Sequence, residues 1–192
     1  MEPQYVGIDP SLSRTAIIHG GAKYGGVRIF KSEPNGPAVA SRMMRFATMA
    51  SAIRGHLNNI AATCGPIRLV CIESYSLGHN NPGTASLCEF GGILRLRLTE
   101  AFRLVECSPS KLKQFVSGKG NTKKPEFIST LARRYDVAFP DEDEYFAYGL
   151  WLIARSAMEP QLGTKEQATI AAKVMNPKPK TKKNKGGHQV AE

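Results

Sequence analysis

Carboxylates stand at three places in this chain where burying a charge is costly. Asp9 ends the apolar run Gln4-Tyr5-Val6-Gly7-Ile8 and is followed at once by Pro10-Ser11-Leu12-Ser13. Glu73 ends a second run, Ile67-Arg68-Leu69-Val70-Cys71-Ile72. Asp141-Glu142-Asp143-Glu144 opens a long apolar stretch from Tyr145 to Met158. An unpaired charge at the end of a buried strand costs several kcal/mol. A divalent cation would offset that cost. Asp141 and Glu144 are three residues apart and share one face of a helix. If the two acid-tipped strands are neighbours, four carboxylates converge, repelling by roughly 4 kcal/mol per close pair at an effective dielectric near 20. Two divalent ions about 4 Å apart reverse that sign and clamp the attacking and leaving oxygens of a phosphodiester hydrolysis. A donor set of oxygens, with no His or Cys, favours Mg²⁺ or Mn²⁺. Each acid also has a plainer reading. Asp9 can accept hydrogen bonds from the turn amides of residues 11–13, Glu73 can pair with an Arg, and Asp141-x-x-Glu144 fits a capping box.

The elements that must hold these residues follow from periodicity and punctuation. Residues 4–9, 14–19 and 25–31 read as three strands separated by a Pro/Ser cluster and a Gly-Gly turn, an antiparallel meander. Residues 38–62 carry Met43, Phe46, Ala47, Ala50, Ile53 and Leu57 at helical spacing, and Cys64-Gly65-Pro66 ends that helix. Residues 67–72 are apolar almost throughout, as a central strand is. A turn at Asn81-Pro82-Gly83 precedes a helix over 84–101, in which Gly91-Gly92 implies close approach of a neighbour. A short strand over 102–106 leads to Ser108-Pro109, an N-cap followed by proline at the first helical position. Residues 117–124 form a basic, glycine-rich loop, residues 125–135 a helix, and residues 145–158 the last apolar helix.

The chain has 192 residues and a formal net charge of +10. That balance points to a polyanionic partner. No run of 18 apolar residues offers a membrane span, and Met1-Glu2-Pro3-Gln4 is not a secretory leader. The four cysteines form no C-x-x-C pair and read as small buried hydrophobes of a reducing cytoplasm. Residues 1–159 read as the catalytic domain. From 160 the composition shifts: 164–175 has a weak helical pattern, and the lysine-rich stretch 176–187 lacks any apolar residue, as a disordered tail does.

In this order the pieces resemble the RuvC family of Holliday-junction resolvases, within the RNase H-like superfamily. The match runs through Gly7-Ile8-Asp9-Pro10 with Ser13, Ile72-Glu73, Lys111-Leu112-Lys113-Gln114-Phe115-Val116 with Gly118-Lys119-Gly120, Lys124, and the pattern Asp141, Glu144, Ala147, over roughly residues 4–157. The resemblance implies an α/β fold with a five-stranded mixed sheet, three antiparallel strands then parallel ones, flanked by helices. It implies a homodimeric DNA endonuclease of recombination and repair that cuts four-way junctions and other branched DNA with two Mg²⁺ or Mn²⁺ ions per site. Carried over by position, Asp9, Glu73, Asp141 and Glu144 would hold the metals, and Lys113 and Lys124 would meet the scissile phosphate. Lys119, Lys123 and Tyr75 are further DNA-contact candidates, and the helix near 84–101 is the expected dimer flank. A short basic chain of this kind suits a phage-encoded member acting in the bacterial or infected-host cytoplasm. The sequence also departs from the family. Glu144 stands where the last ligand is usually Asp, with Asp143 one residue off, and Ser76 stands where an aromatic wedge is usual. These departures keep open a branched-DNA binder of the same fold that has lost catalysis. An actin-like ATPase would need a second phosphate-binding glycine turn and a much longer chain.

Overall fold

A computed structural model describes residues 1–34, 36, 38–75 and 83–177. The expected turn at Asn81-Pro82, the wedge position Ser76 and the lysine-rich stretch from residue 178 lie outside them. The strands are β1 (Gln4–Asp9), β2 (Arg14–Gly20), β3 (Tyr24–Lys31), β4 (Ile67–Glu73) and β5 (Leu104–Cys107). The helices are α1 (Val39–Thr63), α2 (Gly83–Thr99), α3 (Pro109–Ser117), α4 (Lys124–Tyr135), α5 (Glu142–Met158) and α6 (Lys165–Met175), with one 3₁₀ turn at Pro160–Leu162. The sheet order is β3-β2-β1-β4-β5. β1–β2 and β2–β3 are antiparallel, and β1–β4 and β4–β5 are parallel. This is the mixed sheet expected from sequence.

Side-chain alternation along the two central strands divides the core in two. Val6, Ile8, Val70 and Ile72 pack with Phe46, Ile53 and Leu57 of α1 and Phe90 and Leu94 of α2. Tyr5, Leu69 and Cys71 face the other way, onto α3, α4, α5 and α6. The Ser108 hydroxyl caps α3 by accepting from the Lys111 amide at 3.3 Å, and Gly118 ends that helix at φ 80°. β5 starts later than its sequence pattern suggests. The Phe102 amide still bonds the Leu98 carbonyl at 2.9 Å, so the last turn of α2 claims it and its ring packs on the α1/α2 side.

Beyond residue 159, α6 packs on the same core. α6 opens with a capping box between Thr164 and Gln167. Gln167 Nε2 donates to Tyr135 Oη at 2.7 Å, and Ile170, Ala171 and Val174 are buried. Three buried apolar residues and a buried, hydrogen-bonded Gln167 suffice on a short helix once tertiary packing supplies the stability that helix propensity does not.

α5 lies directly on β1. A Cβ at Gly7 would overlap the Ala147 carbonyl and the Trp151 amide nitrogen, so only glycine lets the two backbones meet. Trp151 Nε1 donates to the Gly20 carbonyl at 3.1 Å, and Tyr5 Oη donates to Glu159 at the far end of the helix. α5 therefore runs antiparallel to β1, its first turn above Asp9 and its last turn above Tyr5. Gly7→Ala should destabilise the protein by about 3 kcal/mol, at the upper end of the usual overpacking cost because backbone must move. Equilibrium denaturation in urea measures it; a midpoint like that of wild type would refute this contact.

Candidate active site

The register places the first two carboxylates. Ile8 pairs with Ile72 across the parallel β1–β4 ladder, so Asp9 and Glu73 follow side by side, on strands about 4.8 Å apart. Two residues beyond Gly7 and Cys71, both side chains lie on the α5 face of the sheet. The turn after Asp9 is fixed by Thr15, whose buried hydroxyl donates to the Ser11 carbonyl at 3.1 Å and accepts from the Ser11 amide at 3.2 Å.

From the start of α5, Asp143 is the acid whose charge acts on Asp9. Burial raises the pKa of Asp9 well above the usual carboxylate range, with the charges of Glu73 and Asp143 adding to it and Lys124 opposing. Glu73 is pushed up to about 7, again chiefly by burial, with Lys113 and Lys124 opposing. Neither Asp9 nor Glu73 has a hydrogen-bond or ion-pair partner for its carboxylate among the described residues. The turn-amide and arginine-pairing readings of these two acids therefore find no support here.

Asp141 and Glu144 share a face, as their spacing requires, but that face turns to Arg14. Arg14 Nη2 pairs with Asp141 and lies 3.4 Å from Glu144 Oε1, and its Nε lies 3.5 Å from Asp143 Oδ2. Asp141 is half exposed at the helix N-cap and makes no capping hydrogen bond. The Glu144 side chain is only 4% exposed, its pKa raised by burial and by Asp141 against the pull of Arg14. Arg14 thus already contacts Asp141 and Glu144, the two acids expected as late metal ligands, while Asp143 is the acid of this turn whose charge acts on Asp9. Arg14 is the residue that the sequence reading missed. The available signal was a lone cation opening β2 one turn after Asp9.

The structure sorts the basic candidates into two groups. Lys124, first residue of α4, has its Nζ 2.5 Å from Glu142 Oε2 and 5.4 Å above the Phe146 ring, and its charge acts on both Asp9 and Glu73. Lys113 acts on Glu73. Lys119 and Lys123 are exposed on the loop between α3 and α4. That loop is tied down by buried Thr122, whose hydroxyl donates to the Lys119 carbonyl at 2.8 Å. Tyr75 does not project as a free stacking ring. Its Oη donates to the Cys88 carbonyl at 3.2 Å, and the Arg95 guanidinium lies 4.2 Å over its ring.

Asp9 and Glu73, without a cation in hydrogen-bond contact among the described residues, and the acidic start of α5 offer hard oxygens of the kind that suit Mg²⁺ or Mn²⁺. Among the described residues no three such side chains already close around one point. Glu73 and Asp143 stand close enough for their charges to add to the raised pKa of Asp9. Carboxylates with raised pKa bind protons in the folded state that the unfolded chain has released. Stability contributed by these groups therefore falls as pH rises from the unfolded value near 4.5 through about 7. In EDTA the melting temperature should drop between pH 5 and pH 8, and Mn²⁺ should restore it at pH 8 but not at pH 5. Glu73→Gln should flatten both trends. Melting curves that respond to neither pH nor Mn²⁺ would contradict this account of the pocket.

No protein-family model matches the chain, and none of the curated proteins matches it by sequence. Solved structures do match in fold. Thermus thermophilus RuvC in complex with a Holliday junction substrate aligns with TM-score 0.65 at 14% identity, over 85% of this chain and 98% of that one. Another Thermus thermophilus RuvC structure aligns with TM-score 0.63 at 17% identity, over 82% and 96%. The yeast mitochondrial Holliday junction resolvase aligns with TM-score 0.54 at 11% identity, over 91% and 82%. The chain therefore has the RuvC-type, RNase H-like fold, a five-stranded mixed sheet between two layers of helices.

Proposed function

We propose that this protein is a metal-dependent endonuclease that cleaves branched DNA, four-way junctions above all. The observation that carries the reading is the placement of Asp9 and Glu73 side by side at one end of the sheet, without a cation in contact among the described residues, with the acidic start of α5 near enough for Asp143 to act on Asp9. The fold shared with two resolvases, one of them bound to a junction, supports the substrate class. The net charge of +10 supports a polyanionic partner.

In this reading Asp9, Glu73 and Asp143 hold two Mg²⁺ or Mn²⁺ ions, which when bound supply Lewis acidity and an activated water for in-line hydrolysis. Asp9 and Glu73 are fixed by the β1–β4 ladder, and Asp143 by the seat of α5 on Gly7, so the donors sit on rigid elements. Lys124 and Lys113 stand at the rim, where they offset the negative charge that develops on the phosphoryl oxygens. Lys119 and Lys123 extend that rim as exposed phosphate contacts, which position DNA without reading its bases. A second copy would set two such sites against the two strands of a junction. The α2 flank, where Leu96 is exposed, is the proposed face for it.

A second reading, a junction binder without catalysis, is favoured by the open spacing of the carboxylates. A gel assay on a four-way junction with Mg²⁺ or Mn²⁺ separates the two. Wild type should cut. Asp9→Asn and Asp143→Asn should bind the junction but leave it intact, and Glu144→Gln should keep most of the activity. Binding without cleavage by wild type under either ion supports the silent binder, and full cleavage by Asp9→Asn removes the nuclease site proposed here.

A further inference from the structure

Glu73 ends its strand at a place where four independent contacts meet on one arginine. Arg95, on α2, donates through Nη2 to the Glu73 carbonyl at 2.7 Å and through Nη1 to the Gly91 carbonyl at 3.1 Å. Its Nε pairs with Glu106 of β5. Its guanidinium carbon lies 4.2 Å over the centre of the Tyr75 ring. Tyr75 is itself anchored, through its hydroxyl, to the Cys88 carbonyl of α2. Gly91 makes room for the stack, because a Cβ there would lie 2.5 Å from Tyr75 Oη and 2.7 Å from Arg95 Nη1. Gly92, its neighbour, faces open space. The close approach that a glycine pair in a helix implies is thus made at one of the two, and what approaches is this stack.

We propose that Arg95 is a positioning residue for Glu73, with Tyr75 as the plate on which it is laid. A planar guanidinium can serve a carbonyl, a carboxylate and an aromatic face at once, which an ammonium cannot. The β4 end is held from the α2 side by Arg95. The carboxylate, on the opposite face of the sheet from α2, is free to meet Asp9. Supports of this kind orient a ligand without touching the metal, and their loss costs metal affinity. The role rests on the reading of Glu73 as a metal ligand. It also gives the Tyr75 ring a partner within this chain, Arg95, rather than a DNA base.

Calorimetric titration of the full chain with Mn²⁺ tests this, alongside binding of a labelled four-way junction in EDTA. Arg95→Lys keeps the charge but loses the fork. Gly91→Ala keeps both side chains but places a methyl where the stack lies. Both should weaken Mn²⁺ binding by roughly ten- to a hundredfold and leave metal-free junction affinity unchanged. Glu106→Gln, which removes a half-exposed ion-pair partner, should shift Mn²⁺ affinity in the same direction and serves if the other variants fail to fold. Variants that bind Mn²⁺ as wild type does overturn the role of Arg95 alone. Loss of junction affinity on Tyr75→Ala with Mn²⁺ affinity intact makes Tyr75 a DNA contact and overturns it as well. A wild type that binds no Mn²⁺ overturns the metal site itself, and this role with it.

Discussion

The backbone contact between α5 and β1 at Gly7 governs where everything else in the pocket falls. A helix normally stands off a sheet by the length of the intervening side chains, about 10 Å between layers. Here the absence of a Cβ lets the Ala147 carbonyl and Trp151 amide approach the strand itself. One end of the helix is then anchored by Tyr5 to Glu159 and by Trp151 to Gly20. The other end has no freedom left, and its first turn overhangs Asp9. A pocket on this end of the sheet is the geometric result.

That arrangement brings like charges together, and the surrounding cations divide the work of containing them. Arg14 takes Asp141 and Glu144 and touches Asp143 from the side. Lys124 is engaged by Glu142 and acts on Asp9 and Glu73 only from a distance. The acids at the helix start are thus largely neutralised by protein, while the pair at the strand ends is not. Asp9 and Glu73 are left without a contacting cation among the described residues, and burial raises the pKa of both. Electrostatics of this kind is common at functional sites, because a group left costly in the resting protein is one that a substrate or ion can relieve.

Much of this was legible in the chain. The strands carrying Asp9 and Glu73 announce themselves as apolar runs ending in an acid, and the Ser108-Pro109 helix start follows from local chemistry alone. The acidic quartet shows the limit. Spacing correctly puts Asp141 and Glu144 on one face, but which face meets β1 depends on the seat of α5 and on Arg14, more than a hundred residues away in sequence. The cation at Arg14 is visible in the sequence, but the acids it meets are not. Tyr75 is a similar case, since an aromatic after a strand says nothing of the arginine and glycine on a later helix that it packs against. α6 was read as weak because its own propensity is weak. Its stability comes from Gln167, Ile170 and Val174 packing on distant elements.

We propose that Asp9, Glu73 and Asp143 share one ion-binding pocket, with Asp141 and Glu144 held by Arg14. Anomalous diffraction from a crystal grown with Mn²⁺ tests it most directly. The account predicts manganese peaks bounded by the carboxylates of residues 9, 73 and 143, with Arg14 still paired to Glu144. Manganese bound instead by Asp141 and Glu144, with Arg14 displaced, would contradict it.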